Sequence, residues 1–251
     1  MSGRSVGSTA VDEPLPALLV LVPRIATAIA VPVLLLTVGI LAVASDRGFI
    51  ERGFQRYQVS RVTGISPEQL SSVAQAFVDY FNAPAGRMDI QVQVNGRRRA
   101  LFNAKEIRHM VDVQSLMHLA QRARTVSAVA LVVAVAAILV AAGRVEGLAF
   151  AARQLALAGL LGGGITLGLL ALLGLMSLVD FSAAFVKFHQ LSFGNDDWML
   201  DPRTDYLIML FPEGFWLDSA LRVGAITGGG AAIITALSGA ALLWANRWSG
   251  A

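Results

Sequence analysis

The chain contains no cysteine, only three histidines in 251 residues, and few charged side chains, 15% of the total. Without cysteine there is no disulfide framework, no thiolate nucleophile and no cysteine-ligated zinc, so any chemistry must come from other residues. Charge this sparse, beside 55% hydrophobic residues, is the profile of a membrane protein. The formal net charge of +3 is small, and Arg97, Arg98 and Arg99 form the one dense basic run. A nucleic-acid partner is therefore not expected, whereas a short basic patch on a membrane protein suits lipid phosphate.

What is present is apolar length. Four stretches, 25–45, 125–143, 155–179 and 222–245, approach or exceed the ~20 apolar residues that cross a bilayer core. The first ends in Leu41-Ala42-Val43-Ala44-Ser45, which looks like a signal-peptidase site. Its apolar stretch is longer than a signal peptide's and its polar leader is long, so an uncleaved anchor is expected. Gly159 and Gly163, Gly164 and Gly168, and Gly224 and Gly228 each sit four apart, a spacing that lets helix backbones approach closely in lipid.

The polar segments are uneven: 46–124 and 180–221 are long, and 144–154 is short. Both long pieces then fall on one side, opposite the termini 1–24 and 246–251. The expected fold class is a mainly α membrane protein, with four transmembrane helices and a small α+β extramembrane cap formed from two segments. Arg4, Arg24, Arg144, Arg153 and Arg247 lie on the side of the termini, which leans that side towards the cytoplasm.

Within the first cap segment, Ser66-Pro67-Glu68 opens a run whose apolar positions Leu70, Val73, Ala74, Phe77 and Phe81 recur at helical spacing. Residues 89–94 then alternate with period two. Asn95-Gly96 signals a tight turn, and 99–102 can return as a second strand. No Gly or Pro interrupts the chain from Asn103 to Gly143, so one helix can run from cap into membrane. Unbroken, it would carry residue 109 about 25 Å beyond Val126, unless it bends or its first half lies along the interface. Asp205, before Tyr206-Leu207-Ile208-Met209-Leu210, reads as a helix cap.

The three histidines differ in setting. His109, in "KEIRHMVDV", has Asp112 three residues on, where a carboxylate can accept the imidazole's second proton and stabilise its cation. An ordinary surface pair accounts for the same spacing. His118, among Leu116, Met117 and Leu119, reads as packing. His189 sits beside Phe181, Phe185, Phe188, Phe193 and Trp198. An aromatic belt at the headgroups explains Trp and Tyr better than Phe, and an ionisable ring at the membrane edge is a functional candidate. Apolar surroundings would lower its pKa and keep it ready to accept a proton. A zinc site from His109, Asp112, His189 and Asp196 or Asp197 lacks any His-Glu-x-x-His pairing. A nucleophile at Ser192 lacks the Gly-x-Ser-x-Gly elbow, and the acids 196–205 lack calcium-loop spacing.

The segments "LFNAKEIRHMVDV" (101–113), "FHQLSFGNDDWMLDP" (188–202) and "DYLIMLFPEGFW" (205–216), with four spans and a two-piece cap, resemble the lipoprotein intramolecular transacylases and the wider bacterial integral-membrane family that contains them. That resemblance implies a cytoplasmic-membrane protein with its cap on the extracellular face, and His109 and His189 meeting where cap and bilayer join. It implies movement of an acyl group from the sn-2 oxygen of a diacylglyceryl-cysteine lipoprotein to the α-amine of the same residue, giving a lyso-form lipoprotein. No cofactor and no metal enter that reaction, and the expected partners are the diacylated lipoprotein and membrane lipid. Asp112 would support His109, and Phe188, Phe193, Trp198 and Trp216 would line the substrate pocket. A membrane hydrolase, metal-assisted or not, and a non-enzymatic lipid or partner binder stay open as alternatives.

Overall fold

A computed structural model describes residues 17–248 except 85, 87, 95 and 146. Arg4 and the turn residue Asn95 lie outside the described residues. The elements are α1 (Ala17–Ala44), α2 (Arg47–Arg56), α3 (Val59–Thr63), α4 (Pro67–Asn82), β1 (Gln91–Val94), β2 (Arg97–Ala100), α5 (Ala104–Val145), α6 (Leu148–Val179), α7 (Phe181–Ser192), α8 (Tyr206–Leu210) and α9 (Glu213–Trp248). Helices α1, α5, α6 and α9 are long and apolar enough to cross a membrane, so the chain is a multi-pass membrane protein. Their exposed Val132, Leu172, Ile233 and similar side chains belong against lipid, where an all-apolar helix satisfies every backbone group internally.

Two of these helices are far longer than a bilayer requires. The 42 residues of α5 rise about 63 Å, roughly twice a hydrocarbon core of ~30 Å, and the helix is unbroken. Its apolar half spans the membrane, and the half beginning at Ala104 projects into the cap. Helix α9 starts at Glu213, well before the expected span at 222, and likewise runs from cap into membrane. The cap is therefore built directly on extensions of two transmembrane helices, which fixes it to the bundle.

In the bundle α1 lies along α5 and α6, and α6 along α9. The glycine pair 159/163 makes the α6–α9 approach: an added Cβ would lie 2.1 Å from Ser238 Oγ at Gly159, and 2.2 Å from Thr235 Oγ1 at Gly163. The other two expected pairs do not make such an approach. Gly164, Gly168 and Gly224 face open space, and a Cβ at Gly228 would make only an ordinary 3.4 Å contact with Leu170.

The cap has its own core. Helix α4 is capped by Ser66, whose hydroxyl accepts from Gln69 N, and starts with Pro67 at its first position, where a missing N–H costs nothing. It buries Leu70, Val73, Ala74, Phe77 and Tyr80, with Phe81 only partly covered. Phe77 meets Phe102 and Phe211 edge-on, and Ile50, Phe54, Met110, Leu210 and Phe215 complete a single cluster joining α2, α4, α5, α8 and α9. The hairpin forms as β1 against β2 in antiparallel register, Val92 opposite Arg99. Its second strand begins two residues earlier than the sequence suggests, because the turn is short and Gly96 takes a positive φ of 76°. Beyond the strand, Leu101 N still donates to Ile90 O at 2.8 Å, and Leu101 and Phe102 are buried in the core.

Candidate active site

The site is assembled from the start of α5, the end of α7 and the loop that follows. Helix α5 begins with a reciprocal cap. The Asn103 side-chain oxygen accepts from Lys105 N at 2.9 Å and Glu106 N at 3.0 Å, while a Glu106 oxygen accepts from Asn103 N at 2.7 Å. The other Glu106 oxygen accepts from Leu207 N at 2.6 Å, tying α5 to α8 one turn before His109. Asp205 does not cap α8 with its side chain as expected. Its carboxylate accepts instead from Asn103 Nδ2 and Asp201 N, which are better placed, and so locks the loop end to the start of α5.

Helix α7 is capped by Asp180, which accepts from Ala183 N at 2.9 Å. Phe181, Phe185 and His189 are spaced at i, i+4 and i+8, and so fall on one face, with Phe188 beside them. The helix ends where Phe193 N donates to His189 O. These placements bring His109 and His189, eighty positions apart, to a ring-centroid distance of 6.0 Å at an interplanar angle of 36°. Phe193 meets His109 edge-on at 5.0 Å, and Phe185, Phe188, Phe193 and Trp198 surround His189 at 4.3 to 5.6 Å.

Both imidazoles are buried, with 6% exposure for His109 and 8% for His189. His189 Nδ1 lies 2.8 Å from the Phe185 carbonyl oxygen, which can only accept. Nδ1 therefore carries the hydrogen, and Nε2 of the neutral ring holds a free lone pair. His109 Nδ1 is buried without a hydrogen-bond partner. Both residues lie in the cap, outside the apolar halves of the helices. Burial, reinforced by the neighbouring His189 and partly offset by Asp112 and Asp197, pushes the His109 pKa down from 6.5 to about 4. Burial also lowers the His189 pKa, against the opposing pull of the Phe185 carbonyl. Near neutral pH the site holds two uncharged rings, each able to accept a proton.

Asp112 does not hydrogen-bond to His109. Its Oδ2 accepts from Asn195 Nδ2 at 2.8 Å, because the loop after α7 reaches it first, and its influence on His109 is through charge. Phe188, Phe193 and Trp198 are in place around the pair, with Phe188 half exposed. Trp216 stands one layer away, touching Phe185 at 5.9 Å and donating from Nε1 to Phe211 O at 3.0 Å. His118 is structural, Nε2 lying 2.9 Å from Ala83 O. Among the described residues no three acidic or histidine side chains gather to hold a metal ion.

Sequence reasoning missed the ties between α5 and the loop. Arg108 grips Asp197 with two hydrogen bonds, Nε to Oδ2 at 2.8 Å and Nη2 to Oδ1 at 2.7 Å. Each partner shifts the other: the guanidinium holds the Asp197 carboxyl below its ordinary value, and the carboxylate raises the Arg108 pKa. Lys105 Nζ donates to Met199 O. The spacing of 105, 108, 109 and 112 along one helix face was the available signal. Asn103-x-x-Glu106 is likewise a capping-box signature.

A family model described as lipoprotein intramolecular transacylase Lit matches residues 25–216. The solved structure of the membrane-integral lipoprotein intramolecular transacylase Lit from Bacillus cereus superposes with a TM-score of 0.75, at 17% identity, over 92% of this chain and 100% of that one. The same Bacillus cereus protein carrying a histidine-to-arginine substitution gives 0.67 at 18% identity over 92% and 94%. Its histidine-to-alanine form gives 0.66 at 17% over 91% and 96%. No curated sequence matches significantly.

Proposed function

The chain belongs to the lipoprotein intramolecular transacylase family, an acyltransferase family, and on that premise we propose that it moves the sn-2 acyl group of a diacylglyceryl-cysteine lipoprotein onto the α-amine of the same residue. The cap then stands on the extracellular face of the cytoplasmic membrane, with both termini in the cytoplasm. The observation that carries this reading is the pair of buried, uncharged imidazoles 6.0 Å apart beneath aromatic rings.

Attack of the amine on the ester carbonyl forms an eight-membered ring, which closes reluctantly in solution. Held in place, the reacting atoms regain several kcal/mol of the barrier, and a positioned base adds about 10²–10⁴-fold. His189, its Nδ1 fixed as a donor by the Phe185 carbonyl, takes the proton from the attacking nitrogen at Nε2. The proton passes to His109, whose transient cation the charges of Asp112 and Asp197 favour. His109 delivers it to the departing glyceryl oxygen, so the proton lost by nitrogen is the one gained by oxygen. The C–N bond forms as the ring closes and the C–O bond breaks as it opens, and neither water nor a cofactor takes part. Phe188, Phe193 and Trp198 wall the reacting atoms, and Trp216 backs Phe185.

The test is expression in a host whose lipoproteins are diacylated and lack this activity, with fragmentation mass spectrometry locating each acyl chain. One chain on the amine and one on the glyceryl unit supports the reading. Loss of one chain as free fatty acid means hydrolysis instead.

A further inference from the structure

Little of the histidine pair is open to an incoming ester, with 6% of His109 and 8% of His189 exposed. What covers them differs in kind from what surrounds them elsewhere. Below and beside the pair lie helices α5 and α7. Above it runs a loop, residues 193–201, that presses Phe193 onto His109 and Trp198 onto His189.

This loop is anchored firmly at both ends. Phe193 N is bonded to His189 O, and at the other end Asp205 accepts from Asp201 N and from Asn103 Nδ2 while Asp205 N donates to Asp201 O. Between these ends it is held to α5 by three polar ties: Asp112 to Asn195, Arg108 to Asp197, and Lys105 to Met199 O. Their α5 residues, 105, 108 and 112, share the helix face that carries His109. Gly194, Asn195, Asp196 and Met199 are exposed, and in the ion pair the Arg108 side chain is 60% exposed and that of Asp197 19%. Water reaches the guanidinium side of the Arg108–Asp197 clasp and the exposed Asn195 and Met199, so the three ties hold a conformation while leaving it reversible. The aromatic contacts that cover the site therefore depend on a segment held to α5 by three polar ties between two anchors.

We propose that residues 193–201 form a strap that lifts from α5 to admit the acyl ester and closes to seat Phe193 and Trp198 on the imidazoles, with Arg108, Asp112, Asn195 and Asp197 as positioning residues that set its closed state. The proposal rests on the transacylase reading only for what enters, since the covering of the histidines is testable without any reaction. The apolar rim at Phe188, Leu191 and Met199, exposed by 49%, 77% and 48%, suits entry of an acyl chain from the bilayer. Closure then excludes water, which directs the acyl group to the amine.

The cysteine-free chain allows a clean test. Arg108→Cys and Asp197→Cys are combined, and the thiols are joined by a short bis-methanethiosulfonate tether that a reductant removes. Diethylpyrocarbonate modification of His109 and His189 is followed by peptide mass spectrometry, with His118 as internal reference. Tethering should slow modification of both site histidines by about tenfold or more relative to the released form, leaving His118 unchanged. It should also stop lyso-form production reversibly. Equal modification rates, or full product formation while tethered, would overturn the strap. Slow modification with no lyso-form product from any form, wild type included, supports the strap and rejects the transacylase reading instead. The shape-preserving Asp197→Asn variant gives a second measurement. It should speed modification of both histidines, and an unchanged rate counts against the clasp.

Discussion

Replacing Glu106 with alanine should loosen the site without touching either imidazole. The carboxylate is 1% exposed and accepts from two backbone donors, Leu207 N at 2.6 Å and Asn103 N at 2.7 Å. Leu207 is buried, so its amide loses its acceptor without replacement, at about 1–3 kcal/mol. Asn103 is exposed and water can serve its amide, which leaves mainly the loss of the helix cap, roughly 0.5–1 kcal/mol. The total is about 1.5–4 kcal/mol, and at roughly 2–4 °C per kcal/mol for a chain of this size the melting midpoint in detergent should fall by at least ~3 °C. Because His109 lies on the next turn of α5, product formation measured well below the melting range should fall as well. Glu106→Gln keeps an acceptor for only one of the two donors and should give an intermediate loss. An alanine variant that melts within about a degree of the wild type and retains full activity would refute the tie between α5 and α8 as the element that positions His109.

His109 also supplies a pH signature. Its folded pKa of about 4 lies below the ordinary 6.5, so between those values the unfolded chain binds a proton that the folded chain does not. Stability is complete above that window and is lost as pH falls through it. The midpoint should drop on acidification from about pH 7 to pH 5, and His109→Gln should flatten that dependence. In the membrane, Gly163→Ala places a Cβ 2.2 Å from Thr235 Oγ1 and 3.1 Å from the Ala231 carbonyl, so overpacking should cost about 1–3 kcal/mol in thermal unfolding. Gly164→Ala, facing open space, should be nearly neutral. Chelators should leave lyso-form production unchanged, and a chelator-sensitive rate would redirect attention to metal-assisted hydrolysis.

Much of this architecture follows from patterns visible along the chain. The four spans come from apolar length, α4 from period and cap, and the hairpin from alternation with a glycine turn. The pairing of His109 with His189 does not follow from spacing, because eighty residues separate them. The family resemblance implies it, and the convergence of α5 and α7 brings the two rings together. Asp112 illustrates the limit of local reasoning. Spacing of three puts it on the His109 face, but a loop that arrives from residue 195 offers it a closer donor. The glycine pairs show the same limit, since 159/163 and 164/168 look alike in sequence and only the position of α9 separates them. Arg108–Asp197 was hidden because an ion pair across 89 positions leaves no periodic trace.

Single His109→Gln and His189→Gln variants, assayed for lyso-form lipoprotein beside a thermal unfolding control, test the central claim most directly. Two rings passing one proton act as a unit. Each variant should therefore lose about 10²–10⁴-fold in product formation while remaining folded, and the double variant should be little worse than either. A folded single variant that still makes product at near wild-type rate would contradict a shared role for the two imidazoles.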